Sequence, residues 1–344
     1  MGGASAEPGV EQLAAMQRAL QHGLAEHLHD SGARVERLRR LPGGASKETW
    51  SFDAVDAHGR RGCILRRDPQ GGDQDTGDRS GMAPEVEAAL QRAAAEAGVP
   101  VPGVLFTTSA LPDVGHGYAM ERVEGETVPR KILRDGAYAK ARAHLAADCG
   151  RALGQVHAID CSGLDLPRLP AVDSLAKYRD HYAQFDVARP VLEYAFRWLA
   201  ERIPADEQAC CVHGDFRNGN LIVDADGLRA VLDWELAHIG DPMEDLGWLC
   251  IPSWRFGNLE QPVGGFGQRQ QLFESYQAQT GRTVDPQRVR FWEALGTLKW
   301  GVICLSQYAI FAEGVDRSVD RAAIGRRVSE TELDLLELME GEDG

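Results

Sequence analysis

The sequence predicts an α+β protein of two lobes: an N-terminal five-stranded antiparallel sheet with one helix, then a mainly helical C-terminal lobe. Two observations carry this. Short β-rich segments bounded by Gly, Asp and Pro follow one another between Val35 and Val123, and near residue 124 the chain turns from strand-rich to helix-rich. A length of 344 residues allows two domains or one bilobal unit, and the lobes are read as residues 1–123 and 124–344.

Leu13, Met16, Leu20, Leu24 and Leu28 recur at helical spacing and predict a first helix that ends near Asp30-Ser31-Gly32. Val35 to Leu41, Glu48 to Val55 and Gly62 to Arg67 read as three strands, the first two joined by Pro42-Gly43-Gly44-Ala45-Ser46. The Gly- and Asp-rich stretch from Asp68 to Met82 reads as a loop, and Pro84 to Ala97 as a helix closed by Gly98. Val104 to Thr108 and Tyr118 to Val123 complete the sheet. Helices are then predicted over Tyr138–Ile159, Val172–Asp186, Pro190–Arg202, Pro242–Leu249, Arg269–Thr280 and Val289–Ala312. One hairpin interrupts them, Leu221–Val223 and Leu228–Leu232 around Asp224-Ala225-Asp226-Gly227.

Composition narrows the function classes. A formal charge of −15 would repel a phosphate backbone or an anionic membrane surface, so neither nucleic acid nor membrane is an expected partner. The longest apolar stretch, Trp300 to Ala312, is short for a bilayer span, and the first ten residues lack the basic and apolar regions of a signal peptide. Seven cysteines at irregular spacing fit a reducing compartment, and a cytoplasmic location is expected. A homodimer is left open.

The chemistry concentrates in His213-Gly214-Asp215-Phe216-Arg217-Asn218-Gly219-Asn220 and, across the hairpin, Val231-Leu232-Asp233-Trp234-Glu235. The hairpin returns Asp233 to the loop that holds Asp215 and Asn220, so three oxygen-bearing side chains can converge. Mg²⁺ takes hard oxygen ligands and fills its octahedron with water and substrate phosphates, which suits Asn220 and Asp233. Asp215 then remains free to accept a hydroxyl proton, while Arg217 can neutralise charge on a transferred phosphoryl group. Loop Asp and Asn residues also serve turns; the combination with flanking strands and an upstream glycine-rich loop sets these apart.

This region resembles the phosphate-transfer core of the aminoglycoside phosphotransferase-like family, relatives of the protein kinases and of choline kinase, and within it the branch fused to acyl-CoA dehydrogenases. The resemblance implies a bilobal protein-kinase-like fold over about residues 30 to 310, ATP as phosphate donor with Mg²⁺, and a small-molecule hydroxyl as acceptor. It implies Asp215 as base, Asn220 and Asp233 as metal ligands, and Arg217 where protein kinases have a Lys on the γ-phosphate. Gly43, Gly44, Ala45 and Ser46 would cover the phosphates, and the main chain of Glu121 and Val123, flanking a gatekeeper Met120, would face adenine. Cys63-Ile64-Leu65-Arg66 is similar to the kinase V-A-I-K strand but carries Arg66 in place of Lys, a departure associated with the dehydrogenase-fused branch. Glu87, which shares a helix face with Leu90, Ala94 and Ala97, is the expected partner of Arg66, rather than Glu85, and Arg67 is the expected solvated neighbour.

In Gly240-Asp241-Pro242-Met243-Glu244-Asp245-Leu246, Asp241, Pro242 and Glu244 read as a capping box, and the resemblance makes Asp245 a brace for the catalytic loop. His157 reads as a core histidine, and His22, His27 and His29 as a solvated helix end. The leading reading is an ATP-dependent small-molecule kinase. Its rivals are a catalytically silent nucleotide-binding module, a metal-dependent hydrolase and an amino-sugar kinase. The acceptor, a hydroxyacyl-CoA or hydroxy acid by resemblance to the fused branch, is expected near Trp248, Trp254, Arg255 and Trp300.

Overall fold

The computed structural model describes residues 9–41, 47–68, 82–204 and 208–340. The predicted phosphate loop, Gly43, Gly44, Ala45 and Ser46, and nearly all of the Asp68–Met82 loop lie outside the described residues. The N-terminal lobe runs α1 (Val10–Leu28), β1 (Arg34–Arg40), β2 (Glu48–Asp56), β3 (Gly59–Arg67), α2 (Pro84–Glu96), β4 (Val104–Thr107) and β5 (Gly117–Glu121). Its five strands form one antiparallel sheet in the order β1-β2-β3-β5-β4, the predicted architecture.

Strand alternation decides what each face of this sheet does. Trp50, Phe52, Cys63 and Leu65 point to one face and bury against Met16, Leu20 and Leu24 of α1. Ile64 points to the other, where it packs with Ala88 of α2 and with Tyr118 and Met120 of β5. Arg66 shares that second face and stands opposite Thr49 and Tyr118 in the register, so β3 delivers its guanidinium toward α2 and the interlobe side. Arg67 falls on the α1 face. It is buried, not solvated as expected, donating to Glu48 Oε2 at 2.9 Å and to the Val114 carbonyl at 2.8 Å.

The C-terminal lobe comprises α3 (Pro129–Arg134), α4 (Ala139–Arg142), α5 (Leu145–Val156), α6 (Ala171–Tyr182), α7 (Pro190–Ala200), β6 (Cys210–Val212), β7 (Leu221–Asp224), β8 (Gly227–Val231), β9 (His238–Gly240), α8 (Met243–Cys250), α9 (Arg269–Thr280), α10 (Pro286–Ala312), α11 (Val319–Gly325) and α12 (Val328–Glu340). The helix expected over Tyr138–Ile159 is two helices broken at Ala143-His144, where His144 leaves helical geometry at φ −130° and ψ 2°. No Gly or Pro marks that break. Its contacts do: the His144 ring meets Asp148 at 2.9 Å, and Gln271 of α9 donates to the freed Ala143 carbonyl.

The short pair β6 and β9 is antiparallel and anchors the segment leading into His213. The β7–β8 hairpin, predicted from its Asp-Gly turn, returns the chain to that segment, and the Leu232 amide donates to the Asn220 carbonyl at 2.8 Å. α10 begins three residues before the predicted Val289–Ala312 helix, and its 27 residues are long and apolar enough, by length and composition alone, to cross a bilayer. Its buried residues, from Val289 to Leu305, join the C-terminal core with residues of α7, α8 and α12. All seven cysteines are free thiols.

Candidate active site

The loop after β6 is shaped by its own main chain. Gly214 has φ +78°, and a Cβ there would lie 2.4 Å from the Leu236 carbonyl oxygen, so only glycine lets the loop pass. Asp245, fully buried on α8, accepts from the main-chain amides of His213 at 2.8 Å and Gly214 at 2.9 Å. This is the brace the sequence suggested. Burial works against the Asp245 carboxylate, but hydrogen bonds from His157 and from the loop hold it below the ordinary carboxyl range. His157 in turn bridges Asp245 at 3.1 Å and Tyr276 at 2.9 Å.

His213 is a buried neutral ring whose tautomer follows from its partners. Nδ1 accepts the Asp215 amide at 3.2 Å, so Nε2 carries the proton and donates to the Leu232 carbonyl at 3.1 Å. Burial pushes its pKa down. The ring therefore ties the loop to the strand end that carries Asp233.

Asp215 and Asn220 come together as expected. The Asn220 side-chain amide donates to Asp215 Oδ2 at 2.6 Å and to the Asp215 carbonyl at 3.0 Å, which leaves the Asn220 side-chain oxygen for another partner. Arg217 does not stand free: its Nε donates to both Asp215 carboxylate oxygens, at 3.0 and 3.2 Å, and its guanidinium lies 4.7 Å from the Trp254 ring centre. Trp248 adds a third donor, its indole Nε1 lying 2.8 Å from Asp215 Oδ1. Trp300 meets Trp254 with ring centres 4.9 Å apart. Arg255, expected near the acceptor, turns to Glu293 at 2.8 Å and to the Cys250 carbonyl at 2.7 Å, because the fully buried Glu293 draws both Arg255 and Arg269.

Across the hairpin, Asp233 sits at φ +68°, a left-handed conformation that Asp tolerates better than most residues. Arg66 donates to Asp233 Oδ1 at 2.8 Å, and lies 3.7 Å from Glu87 Oε1 and 3.6 Å from Glu235 Oε2. Burial would raise the Asp233 carboxyl pKa, but the adjacent Arg66 guanidinium holds it below the ordinary range. Glu87, with a side chain 0% exposed, is the Arg66 partner the helix face predicted, while Glu85 turns to His116 at 2.8 Å. Glu87 also accepts from the Tyr118 hydroxyl at 3.0 Å.

Sequence reasoning missed the second cation on Glu87. Lys47 forms an ion pair with Glu87 Oε2, lies 3.7 Å from Glu235, and donates to the Met82 carbonyl at 3.2 Å. Its signal was available: a basic residue directly after the glycine-rich turn, at the start of a strand. Lys299 was missed as well. Its ammonium lies 4.3 Å from the Trp248 ring centre and 3.3 Å from the Gly214 carbonyl. Met120 is buried beneath α2, with Glu121 and Val123 following at the sheet's end, where the Glu121 amide donates to the Gly103 carbonyl at 2.8 Å.

The capping-box reading of α8 needs correction. Asp241 caps the Met243 amide at 3.0 Å and binds Trp292 and Arg288, but Glu244 reaches His238 at 3.1 Å instead of the Asp241 amide. His238, buried in β9, is the partner of that carboxylate, and its pKa is raised by Glu244 against the effect of burial.

Among the described residues no group of three or more His, Cys, Asp or Glu side chains is placed to hold a metal ion unaided. Mg²⁺ does not require one, since it takes one or two carboxylates and completes its shell with water and phosphate oxygens. The Asp233 carboxylate and the Asn220 side-chain oxygen are a donor set that fits it.

Known proteins resemble this chain in sequence and in fold. The model of the phosphotransferase enzyme family, APH, matches residues 37–292. Acyl-CoA dehydrogenase family member 11 of Rattus norvegicus is 26% identical over 333 residues, 88% of this chain but 40% of that protein. The chain thus spans less than half of that curated relative. A candidate aminoglycoside phosphotransferase from Ralstonia eutropha superposes with a TM-score of 0.72 at 21% identity, covering 94% of this chain and 98% of that one. A thermostable mutant of aminoglycoside phosphotransferase APH(4)-Ia, in ternary complex with AMP-PNP and hygromycin B, gives a TM-score of 0.60 at 17% identity over 95% and 99%.

Proposed function

Because the chain belongs to the phosphotransferase enzyme family, we propose that it transfers the γ-phosphoryl group of ATP to a hydroxyl of a small molecule. The observation that carries this reading is the convergence of Asp215, Asn220 and Asp233 at one braced loop and hairpin, with Arg66, Lys47 and Glu87 facing them from the sheet. Asp215 orients the acceptor hydroxyl and takes its proton as the new P–O bond forms. Asn220 and Asp233 would hold Mg²⁺, which would supply charge neutralisation to the phosphates. Arg66 faces those phosphates. Arg217, placed between Asp215 and Trp254, stabilises charge at the transferred group.

The acceptor side favours an anion. Lys299 and Arg217, each stacked on a tryptophan beside Asp215, would repel a polycationic amino sugar and attract a carboxylate or phosphate. Together with the acyl-CoA dehydrogenase family relatives, this supports a hydroxy acid or a hydroxyacyl-CoA as acceptor. A silent module of the same fold would be expected to have lost one of Asp215, Asn220 and Asp233, and none is lost.

The test is Asp215→Ala, assayed by ADP release against a panel of hydroxyacyl-CoAs, hydroxy acids and amino sugars. Transfer should fall to a small residual rate while ATP affinity stays nearly intact. Transfer at the wild-type rate would remove Asp215 from the mechanism, and a preference for amino sugars would reverse the acceptor reading.

A further inference from the structure

We propose that Trp248 is the positioning residue of the base: its indole N–H fixes the orientation in which the Asp215 carboxylate meets the acceptor hydroxyl. This deepens, and rests on, the reading of Asp215 as the base. A carboxylate offers about four acceptor positions. On Asp215, Asn220 takes Oδ2 at 2.6 Å, Arg217 straddles both oxygens at 3.0 and 3.2 Å, and Trp248 takes Oδ1 at 2.8 Å. The two loop donors come from the same turn as the carboxylate itself. Trp248 alone among them comes from another element, α8, and so fixes Asp215 relative to the body of the lobe.

The indole is itself held. It is 4% exposed and meets Trp254 edge to face, with ring centres 5.3 Å apart. Lys299 of α10 lies 4.3 Å from its ring centre, and Gly296 clears its edge, since a Cβ there would lie 2.9 Å from the ring. Lys299 also reaches the Gly214 carbonyl at 3.3 Å, so α10 supports both the indole and the loop main chain.

A tryptophan buried only for packing does not need this bond. Trp254 and Trp300, in the same aromatic cluster, have buried indole nitrogens with no hydrogen-bond partner among the described residues. The Trp248 N–H is aimed at the reacting carboxylate instead. Helix α8 thereby carries two supports for one loop: Asp245 sets its main chain and Trp248 sets its carboxylate.

The test is Trp248→Phe, which keeps an aromatic ring and removes the donor. kcat should fall about 10- to 100-fold, the ratio a hydrogen bond to a charged group supports, with KM for ATP and the affinity for a fluorescent ADP analogue within about twofold of wild type. In the Asp215→Ala background the same substitution should leave the residual rate unchanged, because the indole acts through Asp215. By NMR of the ¹⁵N-labelled indoles, one of the seven Trp side-chain N–H signals should move strongly in Asp215→Ala and not in Asp233→Ala. That measurement needs no Trp248 variant and decides the matter if Trp248→Phe does not fold. A Trp248→Phe enzyme of wild-type kcat, an equal loss in the Asp215→Ala background, or indole signals insensitive to Asp215 each overturns the proposal. If those results appear while Asp215→Ala is inactive, the base reading survives without Trp248; transfer by Asp215→Ala at the wild-type rate overturns both.

Discussion

Replacing Asp245 by Ala tests the brace beneath the loop that carries Asp215. The carboxylate is fully buried and accepts from two main-chain amides at 2.8 and 2.9 Å and from the His157 ring at 3.1 Å. Hydrogen bonds to a charged group contribute about 1.5–3 kcal/mol each, so the two amide bonds sum to about 3–6 kcal/mol. Relief of the desolvation of a buried carboxylate offsets part of this, and the measured range for removing one partner of a buried pair is about 3–5 kcal/mol. Taking about 4 kcal/mol, and an unfolding entropy of roughly 0.7 kcal/mol per kelvin for a chain of this length, the thermal midpoint should fall by about 6 °C. The pH dependence has a definite sign. Because the folded-state carboxyl lies below its ordinary value of 3.8, the stability it provides is fully present above that value and is lost as pH falls through the depressed one. The gap between wild type and Asp245→Ala should therefore be constant across neutral pH and close in acid. Calorimetric scans at a series of pH values measure both. A midpoint within about 1 °C of wild type at neutral pH would refute the energetic argument, and a gap that widened in acid would refute the sign.

Arg66→Ala should raise KM for ATP and lower kcat, a loss of about 2–4 kcal/mol of transition-state stabilisation. Arg66→Lys should recover only part of it, since the shorter, compact ammonium would have to take the place that one terminal guanidinium nitrogen, Nη2, holds among Asp233, Glu87 and Glu235. Steady-state ADP release checks both, and an unaffected Ala variant would leave Arg66 without a role in the reaction. Asp233→Ala should weaken nucleotide binding by about tenfold or more with Mg²⁺ and little without it; equal calorimetric affinities with the metal present would contradict its place as a ligand. Lys47→Met leaves the fully buried Glu87 without its nearest cation and should destabilise the protein by about 2–4 kcal/mol, with Lys47→Arg largely restoring it. Urea denaturation of the two variants reads the difference, and identical midpoints for wild type and Lys47→Met would show that Arg66 neutralises Glu87 alone.

What the sequence made legible follows from the range of each signal. Alternation on β3 and helical spacing on α2 are local, and they sufficed to bring Arg66 and Glu87 together. The Asp-Gly turn of the hairpin is local too, and it returns Asp233 to the loop of Asp215 and Asn220. Local signals failed where a distant group changed the outcome. Arg67 reads as a strand-end cation, but Glu48 answers its charge and the Val114 carbonyl and Trp50 ring enclose it. Asp241 and Glu244 have capping-box spacing, yet His238 on the next strand over draws Glu244 away. The three-residue β6 and β9 carry little pattern of their own and exist by pairing with each other. Trp248 was visible as an aromatic near the acceptor side; that its indole points at Asp215 depends on how α8 packs against α10, which no spacing encodes.

The arginine in the third strand has a structural counterpart that explains how the site tolerates it. Glu87 is sealed from water, so its charge must be met by cations at close range. Arg66, long and forked, reaches past Glu87 and spends its closest contact on Asp233 at 2.8 Å, standing 3.7 Å from Glu87. A carboxylate left at that distance in a buried setting is incompletely neutralised. Lys47 meets it on its second oxygen, from the strand start that follows the glycine-rich turn. The same ammonium takes the Met82 carbonyl, which leads into α2, and so couples the residue before β2 to the helix that carries Glu87. The charge that answers Glu87 is thus divided between two segments: Arg66 of β3 supplies the cation nearest Asp233, and Lys47, just before β2, supplies the one nearest the helix.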